Sequence, residues 1–516
     1  MKKYIELLFV LAMIGFLASC SKDDDTNDGG SGGSPEPSSQ VIQLPKDLRA
    51  VWFTTVWELD WPQKQYNKEA QQKLYINYLE EFKKYNINAV FVQVKSKGDA
   101  FYKSKYEPWS KHITGKRGQD PGYDVMQFMI DEAHKRGLEF HAWINPYRID
   151  TRGGASDSFD PLLMDNVDPS MYIDLPTLRI YNPALPEVRE RLRDIVDEII
   201  TNYDVDGIVM DDYFYPYPIA GQSFPDDESF ERYAATQGFT PSQRGDWRRD
   251  NVNRLIKELK LTIASTKPWV RFGISPFGIY RNKRSDPDGS DTNGLQNYDD
   301  LYADIKLWVE KGWIDYNLPQ LYWERGHAAA DYTTLLHWWN KHNFKQPLYI
   351  GQNLQRSIDK NELEVKIRQT REMSFVHGNC YWYGYQVLDN FEGVADVMKD
   401  DLHKAPALIP AYIHMHDGRP GKVQNLNEVF TEDMHFLAWD HERKRSNPKA
   451  AQRFVVYRFR KGERVDINRA EHIVGITPDN FFTLPYEGGV NRYTYAVTAL
   501  DAFWNESKAR KIKVTL

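Results

Sequence analysis

The sequence has little cysteine and no excess of basic charge, and no glycine-rich phosphate loop opens any of its helical stretches. Only 2 of its 516 residues are cysteine, and 66 Lys plus Arg stand against 73 Asp plus Glu, for a formal net charge of −7. Without a basic excess to neutralise phosphates, a nucleic-acid-binding role is disfavoured. Without a phosphate loop, a nucleotide-binding doubly wound sheet is disfavoured as well. We therefore predict no nucleic-acid partner and no cofactor.

Aromatic residues are abundant instead. The 15 Trp, 31 Tyr and 25 Phe residues make up 14% of the chain, and hydrophobic residues as a whole make up 41%. A chain of this length and composition buries a large core and holds two or three domains, or one large barrel with an accessory module. Because the aromatic rings exceed what a core needs, stacking against sugar rings is one use for the surplus.

The N-terminus resembles the signal of a bacterial lipoprotein. Two lysines precede an apolar stretch, 7–17, that is too short to span a bilayer, and the segment ends in the lipobox-like Leu17-Ala-Ser-Cys20. We expect residues 1–20 to be the signal peptide and Cys20 to be the lipidated residue. Residues 21–44, rich in Gly, Ser, Asp and Pro, are expected to form a flexible tether. The alternative is a plain signal peptide with an incidental cysteine.

This signal predicts a location in the cell envelope. The protein would contact a membrane only through its lipid, in the outer membrane, on either the periplasmic or the cell-surface face. The second cysteine, Cys380, lies in the apolar and aromatic run 379–385. If Cys20 carries lipid, no disulfide can form within the chain. We therefore interpret Cys380 as a small buried hydrophobic residue and not as a nucleophile.

Residues 45–405 alternate short β-rich runs with amphipathic helical stretches. Eight such pairs predict an α/β fold, a TIM-type (β/α)8 barrel with enlarged loops. The predicted strands are Arg49–Thr54, Ala89–Lys95, Glu139–Asn145, Gly207–Asp212, Arg271–Pro276, Tyr316–Leu321, Leu348–Gln352 and Cys380–Tyr385. The predicted helices include Val125–Arg136, Pro186–Tyr203, Asp246–Thr266, Tyr298–Lys311, Tyr332–His342, Glu362–Val376 and Val394–Leu402.

The pattern changes after this region, and residues 406–516 are expected to form a separate domain. Short runs such as Phe454–Phe459 and Tyr493–Leu500 alternate apolar and polar residues with no convincing helix between them. This alternation predicts a small antiparallel β-sandwich. Its ending, with Tyr493–Asp501 followed by Trp504, resembles the last strands of fibronectin type III modules.

Candidate catalytic groups lie where the predicted barrel strands end, because the working residues of such barrels occupy that face. Glycosidic bonds are cut by two carboxyl groups that flank the scissile oxygen. Asp211 and Asp212 end the fourth predicted strand, and Glu324 and Glu107 are candidates for a second carboxylate. In an extended strand the two aspartates point to opposite sides, so one is expected to face the barrel mouth. The alternatives are structural: a turn cap or a pair with Arg148 for the aspartates, and a loop ion pair for the glutamates.

Amides, hydroxyls and aromatic rings at the same strand ends are the candidate sugar-binding groups. Amides and tyrosine hydroxyls hydrogen-bond to sugar hydroxyls, and aromatic faces cover the apolar face of a pyranose. For His141, a purely structural role as a hydrogen-bonded barrel histidine is the alternative. The candidates are Trp52, Gln93, His141, Asn145, Tyr147, Arg148, Tyr213, Tyr215, Gln320, Tyr322, Trp323, Gln352 and Trp382.

Two stretches have the composition of metal sites but not their spacing. The run 286–294 is dense in oxygen ligands, yet it departs from the calcium-loop register and lacks the closing glutamate, so we interpret it as a substrate-covering loop. His414 and His416 share one strand face, but no third ligand follows nearby. We predict no metal site.

Several motifs at the strand ends together resemble the glycosyl-hydrolase-like ten family of bacterial, often lipidated, β/α barrels. The motifs are Trp52-Phe-Thr-Thr55, Tyr106-Glu-Pro-Trp-Ser110, Asn145-Pro-Tyr147, Asp206–Pro216, Ser275-Pro-Phe-Gly278 and Pro319-Gln-Leu-Tyr-Trp323. The resemblance implies a glycan hydrolase, and one branch of the family acts on peptidoglycan strands stripped of stem peptides. The sequence departs from two related patterns: retaining barrel glycosidases carry glutamates where Asp211 and Gln352 stand, and Tyr213 occupies the position of the chitinase glutamate.

Together these observations predict a lipid-anchored glycoside hydrolase. Its substrate would be a polysaccharide or oligosaccharide of the cell envelope or the environment, peptidoglycan strands among them. Asp211 would act as general acid/base and Asp212 as its orienting or electrostatic partner. The alternative is a glycan-binding lipoprotein without catalysis, which needs the aromatic and amide groups but no acid pair.

Overall fold

A closed barrel of parallel strands forms the larger part of the chain in a computed structural model, which describes residues 42–164, 166–343, 345–412, 414–416, 418–441 and 447–516. Eight strands close the barrel in the order β1-β11-β10-β9-β8-β7-β3-β2. The strands up to residue 382 are β1 (Leu48–Phe53), β2 (Ala89–Lys95), β3 (Glu139–Ile144), β4 (Arg148–Thr151), β5 (Tyr172–Asp174), β6 (Leu178–Tyr181), β7 (Gly207–Met210), β8 (Arg271–Ile274), β9 (Tyr316–Asn317), β10 (Leu348–Asn353) and β11 (Val376–Trp382). This is the predicted TIM-type architecture, and the remaining three strands form a small antiparallel sheet after β3.

Amphipathic helices follow the barrel strands and pack on the outside. Their starts are set by local capping: Asn67, Asp124 and Asp331 each accept a hydrogen bond from the first turn of their helix. The helices are α1 (Lys68–Lys84), α2 (Lys111–Thr114), α3 (Val125–Lys135), α4 (Pro186–Asn202), α5 (Asp227–Tyr233), α6 (Arg244–Thr266), α7 (Asn297–Asp300), α8 (Ile305–Lys311), α9 (Tyr332–His342), α10 (Leu354–Asp359), α11 (Leu363–Glu372), α12 (Gly384–Leu388) and α13 (Val394–Val397).

Two predicted boundaries differ from the structure in ways that affect the site. The fourth barrel strand ends at Met210, so Asp211 and Asp212 follow it and the strict alternation of an extended strand does not govern them. The single helix predicted over 298–311 is two short helices, and Asp304 caps the second by accepting from the Leu307 N–H. Both differences place more irregular backbone at the strand-end face than the hydrophobic pattern indicates.

An antiparallel sandwich follows the barrel, with seven strands in the part of residues 406–516 that the structure describes. Its strands are β12 (Gln424–Phe430), β13 (His435–Asp440), β14 (Arg453–Arg460), β15 (Ile473–Thr477), β16 (Phe481–Thr483), β17 (Arg492–Leu500) and β18 (Arg510–Thr515). They form a three-stranded sheet, β12-β13-β16, and a four-stranded sheet, β15-β14-β17-β18. Side chains from both sheets, including Leu437, Trp439, Val456 and Val497, share one buried core.

The sandwich closes the N-terminal end of the barrel. One apolar cluster runs from inward residues of the barrel such as Phe91 and Tyr316 to Tyr457 and Trp504 of the sandwich. At its edge, the Trp504 indole N–H donates to Glu139, which also forms a buried ion pair with Arg271. The two domains therefore bury polar groups as well as apolar surface against each other.

The predicted signal peptide, Cys20 and the tether up to residue 41 lie outside the described residues. Over the part of the chain that is described, no helix has the length and apolar character needed to cross a membrane. Cys380 is fully buried in the barrel interior, and burial raises the pKa of its thiol. This placement agrees with its interpretation as a small hydrophobic residue.

Candidate active site

Asp211 lies directly after β7, at the strand-end face of the barrel. Its Oδ2 accepts a hydrogen bond of 3.0 Å from the Trp143 indole N–H, and its Oδ1 accepts one of 3.2 Å from the Asn145 amide. Both donors come from β3 and the residue that follows it, which is the neighbouring barrel strand. Asp211 forms no ion pair with any described lysine or arginine, so its carboxyl is held by neutral donors.

Burial raises the pKa of the Asp211 carboxyl from 3.8 to about 7. Desolvation is the largest cause, and the positive charge of Arg148 and the hydrogen bonds from Trp143 and Asn145 only partly oppose it. The Asp212 carboxyl adds to the rise through like-charge repulsion. A carboxyl of this kind carries its proton over an unusually wide pH range and is suited to donate it.

Asp212 lies beside Asp211 but has different partners. The Tyr217 hydroxyl donates to its Oδ2, and the Gln320 amide donates to its Oδ1 over 3.1 Å. The same Gln320 amide also donates to the Ser275 carbonyl over 3.1 Å, which fixes its orientation. Burial raises the pKa of Asp212, while the hydrogen bonds from Tyr217 and Gln320 lower it in part.

Partly exposed aromatic rings and one arginine surround the two carboxyls. The Arg148 guanidinium carbon lies 4.7 Å from the centre of the Tyr213 ring, and Tyr213 stacks on Tyr217 at 5.8 Å. On the other side, the rings of Tyr322 and Trp382 lie 6.4 Å apart. Tyr322 and Trp382 are partly exposed aromatic rings of the kind that cover the apolar face of a pyranose, whereas the Tyr213 ring already contacts Arg148 and Tyr217.

Glu324 lies in the loop after β9 and is partly exposed. Its nearest cation is Arg356, with 3.8 Å between Glu324 Oε2 and Arg356 Nε. Burial raises the pKa of Glu324, but its own backbone N–H and Arg356 outweigh that effect, so the pKa lies below its usual value. Glu324 is therefore ionised at neutral pH, in contrast to Asp211.

Glu107, the other candidate for a second carboxylate, is buried among cations. Its Oε1 lies 3.8 Å from Lys95 Nζ and 3.5 Å from Arg191, and it accepts a hydrogen bond of 3.4 Å from Tyr181. Its exposed fraction of 3% equals that of Asp211, so what distinguishes Glu107 is its pairing with two cations. These contacts match the structural alternative, a loop ion pair.

His141 is buried inside the barrel, below the site. Its Nδ1 lies 2.8 Å from the Tyr316 hydroxyl, its Nε2 lies 3.2 Å from Glu139, and its ring stacks on Phe91 at 4.5 Å. Gly273 makes room for Tyr316, because a Cβ there would lie 2.0 Å from the tyrosine ring. His141 therefore connects barrel strands and has no exposed surface to offer a sugar.

Seven other predicted sugar-binding residues are also buried. Alternation along β3 predicts a common face for His141 and Tyr147, but the chain leaves the strand after Ile144, and Tyr147 packs into the core outside the barrel. The Gln93 side chain accepts from the Val56 N–H over 2.9 Å and so holds the backbone after β1. The Gln352 side chain donates to Asn379 over 2.9 Å and so connects β10 with β11. The seven, each at most 5% exposed, are Trp52, Gln93, Asn145, Tyr147, Tyr215, Trp323 and Gln352.

Three residues that the sequence did not single out contact or position the site. Trp143 and Tyr217 donate directly to Asp211 and Asp212. Asp60 accepts from the backbone N–H groups of Thr54 and Tyr385, at 2.6 and 2.5 Å, and so joins the loops after β1 and β11. Of these three residues, the sequence could have indicated only Trp143, because it lies two residues before the candidate Asn145 and therefore on the same inward face of β3.

Metal-binding groups do not cluster in the described part of the chain, where no three His, Cys, Asp or Glu side chains come together around a common point. In the loop 286–294, Asp286 pairs with Arg281 at 2.5 Å and Asp288 pairs with Lys306 at 2.7 Å. Two of the three acidic residues of this loop, Asp286 and Asp288, therefore pair with cations of the protein itself.

A (β/α)8 barrel with paired carboxyls among aromatic rings at its strand ends is the arrangement that glycoside hydrolases use. Residues 47–366 match the sequence profile of the family described as glycosyl hydrolase-like 10. The chain belongs to this family.

Similar proteins carry related names. The glycosyl hydrolase YngK of Bacillus subtilis (strain 168) is 40% identical over 493 residues, which cover 92% of this chain and 94% of the relative. The glycosyl hydrolase DigH of Escherichia coli (strain K12) is 38% identical over 350 residues, which cover 64% of this chain and 78% of the relative. Among solved structures, the glycoside hydrolase domain of PgaB (BpsB) from Bordetella bronchiseptica aligns with a TM-score of 0.46 at 11% identity, over 68% of this chain and 98% of that one.

Proposed function

We propose that this protein is a lipid-anchored glycoside hydrolase that cleaves a cell-envelope polysaccharide, with the glycan strands of peptidoglycan as the first substrate to test. The observation that carries this proposal is the buried Asp211 carboxyl, held by Trp143 and Asn145 beside partly exposed aromatic rings, where burial raises its pKa to about 7. A proton donor next to a sugar-binding surface is what cleavage of a glycosidic bond requires.

In the proposed reaction Asp211 acts as the general acid. Its proton moves to the glycosidic oxygen as the bond between that oxygen and the anomeric carbon breaks, so the leaving sugar departs as a neutral alcohol. Water supplies the new oxygen on the anomeric carbon, and its released proton restores the acid. The neutral donors Trp143 and Asn145 hold the carboxyl in place without taking its proton.

Asp212 is the proposed partner of this acid. The Tyr217 hydroxyl and the Gln320 amide orient it and stabilise its negative charge, so it can support the positive charge that develops on the sugar ring. Glu324, ionised and partly exposed, is the candidate for a second carboxylate that activates water. Glu107 is not assigned a step, because two cations already neutralise it.

The test of catalysis compares three forms of the protein on the same substrates. We expect the native chain to produce new reducing ends from peptide-free peptidoglycan strands, and Asp211→Asn to lower that rate by about 10²–10⁴-fold. The matched control is Asp131→Asn, which changes an exposed carboxylate on the outer helix α3 and should leave the rate unchanged. Chitin and plant polysaccharides serve as further substrates.

A glycan-binding protein without catalysis is the second candidate. The partly exposed rings of Tyr213, Tyr322 and Trp382 favour it equally, since binding needs no acid. Calorimetry with peptide-free strands distinguishes the two. Binding without new reducing ends from any polysaccharide, in native protein and Asp211→Asn alike, would replace the hydrolase with this candidate.

The lipid anchor and the envelope location are part of the same proposal. They rest on the lipobox-like ending at Cys20 and the charged tether that follows it. Cys20→Ala should block processing and lipidation, while labelled palmitate should be incorporated only into the native chain. The seven strands in sheets of three and four support the likeness of residues 406–516 to a fibronectin type III module.

A further inference from the structure

Arg148 is held rigidly at the mouth of the site. Its Nε donates to the Ser96 carbonyl over 2.9 Å, and its own backbone N–H donates to the Asn145 side chain over 3.0 Å. One face of its guanidinium lies on the Tyr213 ring. The side chain is only partly buried, and its contacts with Ser96 and Tyr213 fix the direction of the guanidinium group.

Among the described residues, no negative charge is paired with the Arg148 guanidinium. Its contacts are the Ser96 carbonyl and Tyr213, and no described carboxylate forms an ion pair with it. The cations around it differ in this respect: Lys95 pairs with Glu107, and Lys97 pairs with Asp150 at 2.9 Å.

The two catalytic aspartates are the carboxyls whose charge would most directly balance Arg148. Arg148 lowers the pKa of both, but burial is the larger effect and both pKa values stay above their usual range. At pH values where Asp211 carries the proton that catalysis needs, it contributes no negative charge. The mouth of the site then holds a fixed cation that lacks a carboxylate partner within contact distance.

We propose that Arg148 binds a carboxylate carried by the substrate, so that the enzyme acts on an acidic glycan with a carboxyl group next to the scissile bond. A guanidinium fork recognises a carboxylate with two parallel hydrogen bonds, which gives direction as well as affinity. The inference rests on the proposed hydrolase function and specifies its substrate class. The carboxylate can belong to an ether-linked lactyl group or to a uronic acid, and the geometry serves both.

The experiment measures binding, so that its result does not depend on turnover. Asp211→Asn serves as the parent, and its affinity is measured by calorimetry for a peptide-free peptidoglycan tetrasaccharide and for the same sugar with its carboxyl groups reduced to alcohols. We expect the parent to bind the carboxylate form at least tenfold more tightly. Adding Arg148→Gln should remove this preference, and adding Arg148→Lys should retain only part of it.

The matched control adds Arg193→Gln, which changes a partly exposed arginine on the outer helix α4 that pairs with Glu190 at 3.2 Å. This control should keep the preference. A hyaluronan tetrasaccharide, tested in the same way, shows whether a uronic carboxylate also satisfies Arg148. Equal affinity for the native and reduced sugars, or a preference that survives Arg148→Gln, would overturn the inference.

Failure of the proposed hydrolase function gives a different result. In that case the native chain produces no reducing ends from any glycan, whatever the binding preference of the Asp211→Asn parent. If the native chain is active, its ratio of kcat/KM between native and reduced strands should fall towards one in Arg148→Gln. That ratio isolates substrate recognition from the effect of Arg148 on the aspartates, which acts on both substrates.

Discussion

The indole N–H of Trp143 donates a 3.0 Å hydrogen bond to Asp211, across two adjacent strands of the barrel. Trp143 is itself fixed by Trp52, at 4.8 Å between ring centres, and by Trp382, at 6.1 Å. These tryptophans come from three different barrel strands, so the position of the acid depends on packing inside the closed barrel. The interior below the site therefore fixes the position of the proposed general acid.

The pH dependence of turnover should report the Asp211 proton. Because the general acid must be protonated and its pKa is about 7, we expect kcat/KM to fall about tenfold per pH unit above pH 7. Initial rates on peptide-free strands between pH 5 and pH 9 measure this limb. A rate that stays constant to about pH 9 would assign the acid to another group.

Stability should also depend on the charge of Asp211. Its pKa is raised in the folded state from 3.8 to about 7, so the folded protein holds a proton that the unfolded chain releases, and the free energy of unfolding falls as pH rises between these values. Asp211→Asn cannot ionise and should become more stable relative to the native protein over this range. Across this pH range, the free energy of unfolding of Asp211→Asn should rise relative to that of the native protein by a total on the order of 4 kcal/mol.

Urea unfolding of the two proteins at pH 4, 5.5 and 7.5 measures this difference. Comparing variants at each pH cancels the titration of groups that both proteins share. A difference in unfolding free energy that is the same at all three pH values would show that the carboxyl is solvated in the folded protein.

Tyr217 should lower the pKa of Asp212. Its hydroxyl donates to Asp212 Oδ2 and stabilises the ionised form, so Tyr217→Phe should raise the pKa of Asp212 further. If Asp212 works as an anion, the acidic limb of the kcat/KM profile should then move to higher pH. Tyr123→Phe is the control, because that hydroxyl donates to Gln71 away from the two aspartates. An unchanged acidic limb in Tyr217→Phe would argue that Asp212 need not be ionised.

The contact between the sandwich and the barrel should contribute to the stability of the whole chain. Trp504→Phe removes the N–H that donates to the buried Glu139, and losing a hydrogen bond to a buried charge costs about 1–3 kcal/mol. Trp439→Phe is a matched control, because that buried indole N–H has no hydrogen-bond partner among the described residues. Urea unfolding should therefore show a larger loss for Trp504→Phe, and equal losses would contradict the role of this contact.

Much of the barrel is predictable from the sequence, but the membership of the site is only partly so. Alternating strand and helix patterns indicate the eight barrel strands, because each element has its own hydrophobic period. Position at a strand end brings Asn145 into contact with Asp211, at 3.2 Å, although Asn145, predicted to bind sugar, is fully buried. It also selects Gln93 and Gln352, which are fully buried, because the sequence does not show whether an amide faces the mouth or a neighbouring strand.

The sequence by itself determined the order of strands and helices and the loops that carry acids and aromatic rings. Those loops meet at one face because parallel barrel strands all end on the same side. Only the tertiary structure decided which carboxyl keeps its proton. Asp211 takes its donor from a residue 68 positions away and Asp212 takes one from 108 positions away, and burial by such distant neighbours sets their pKa values.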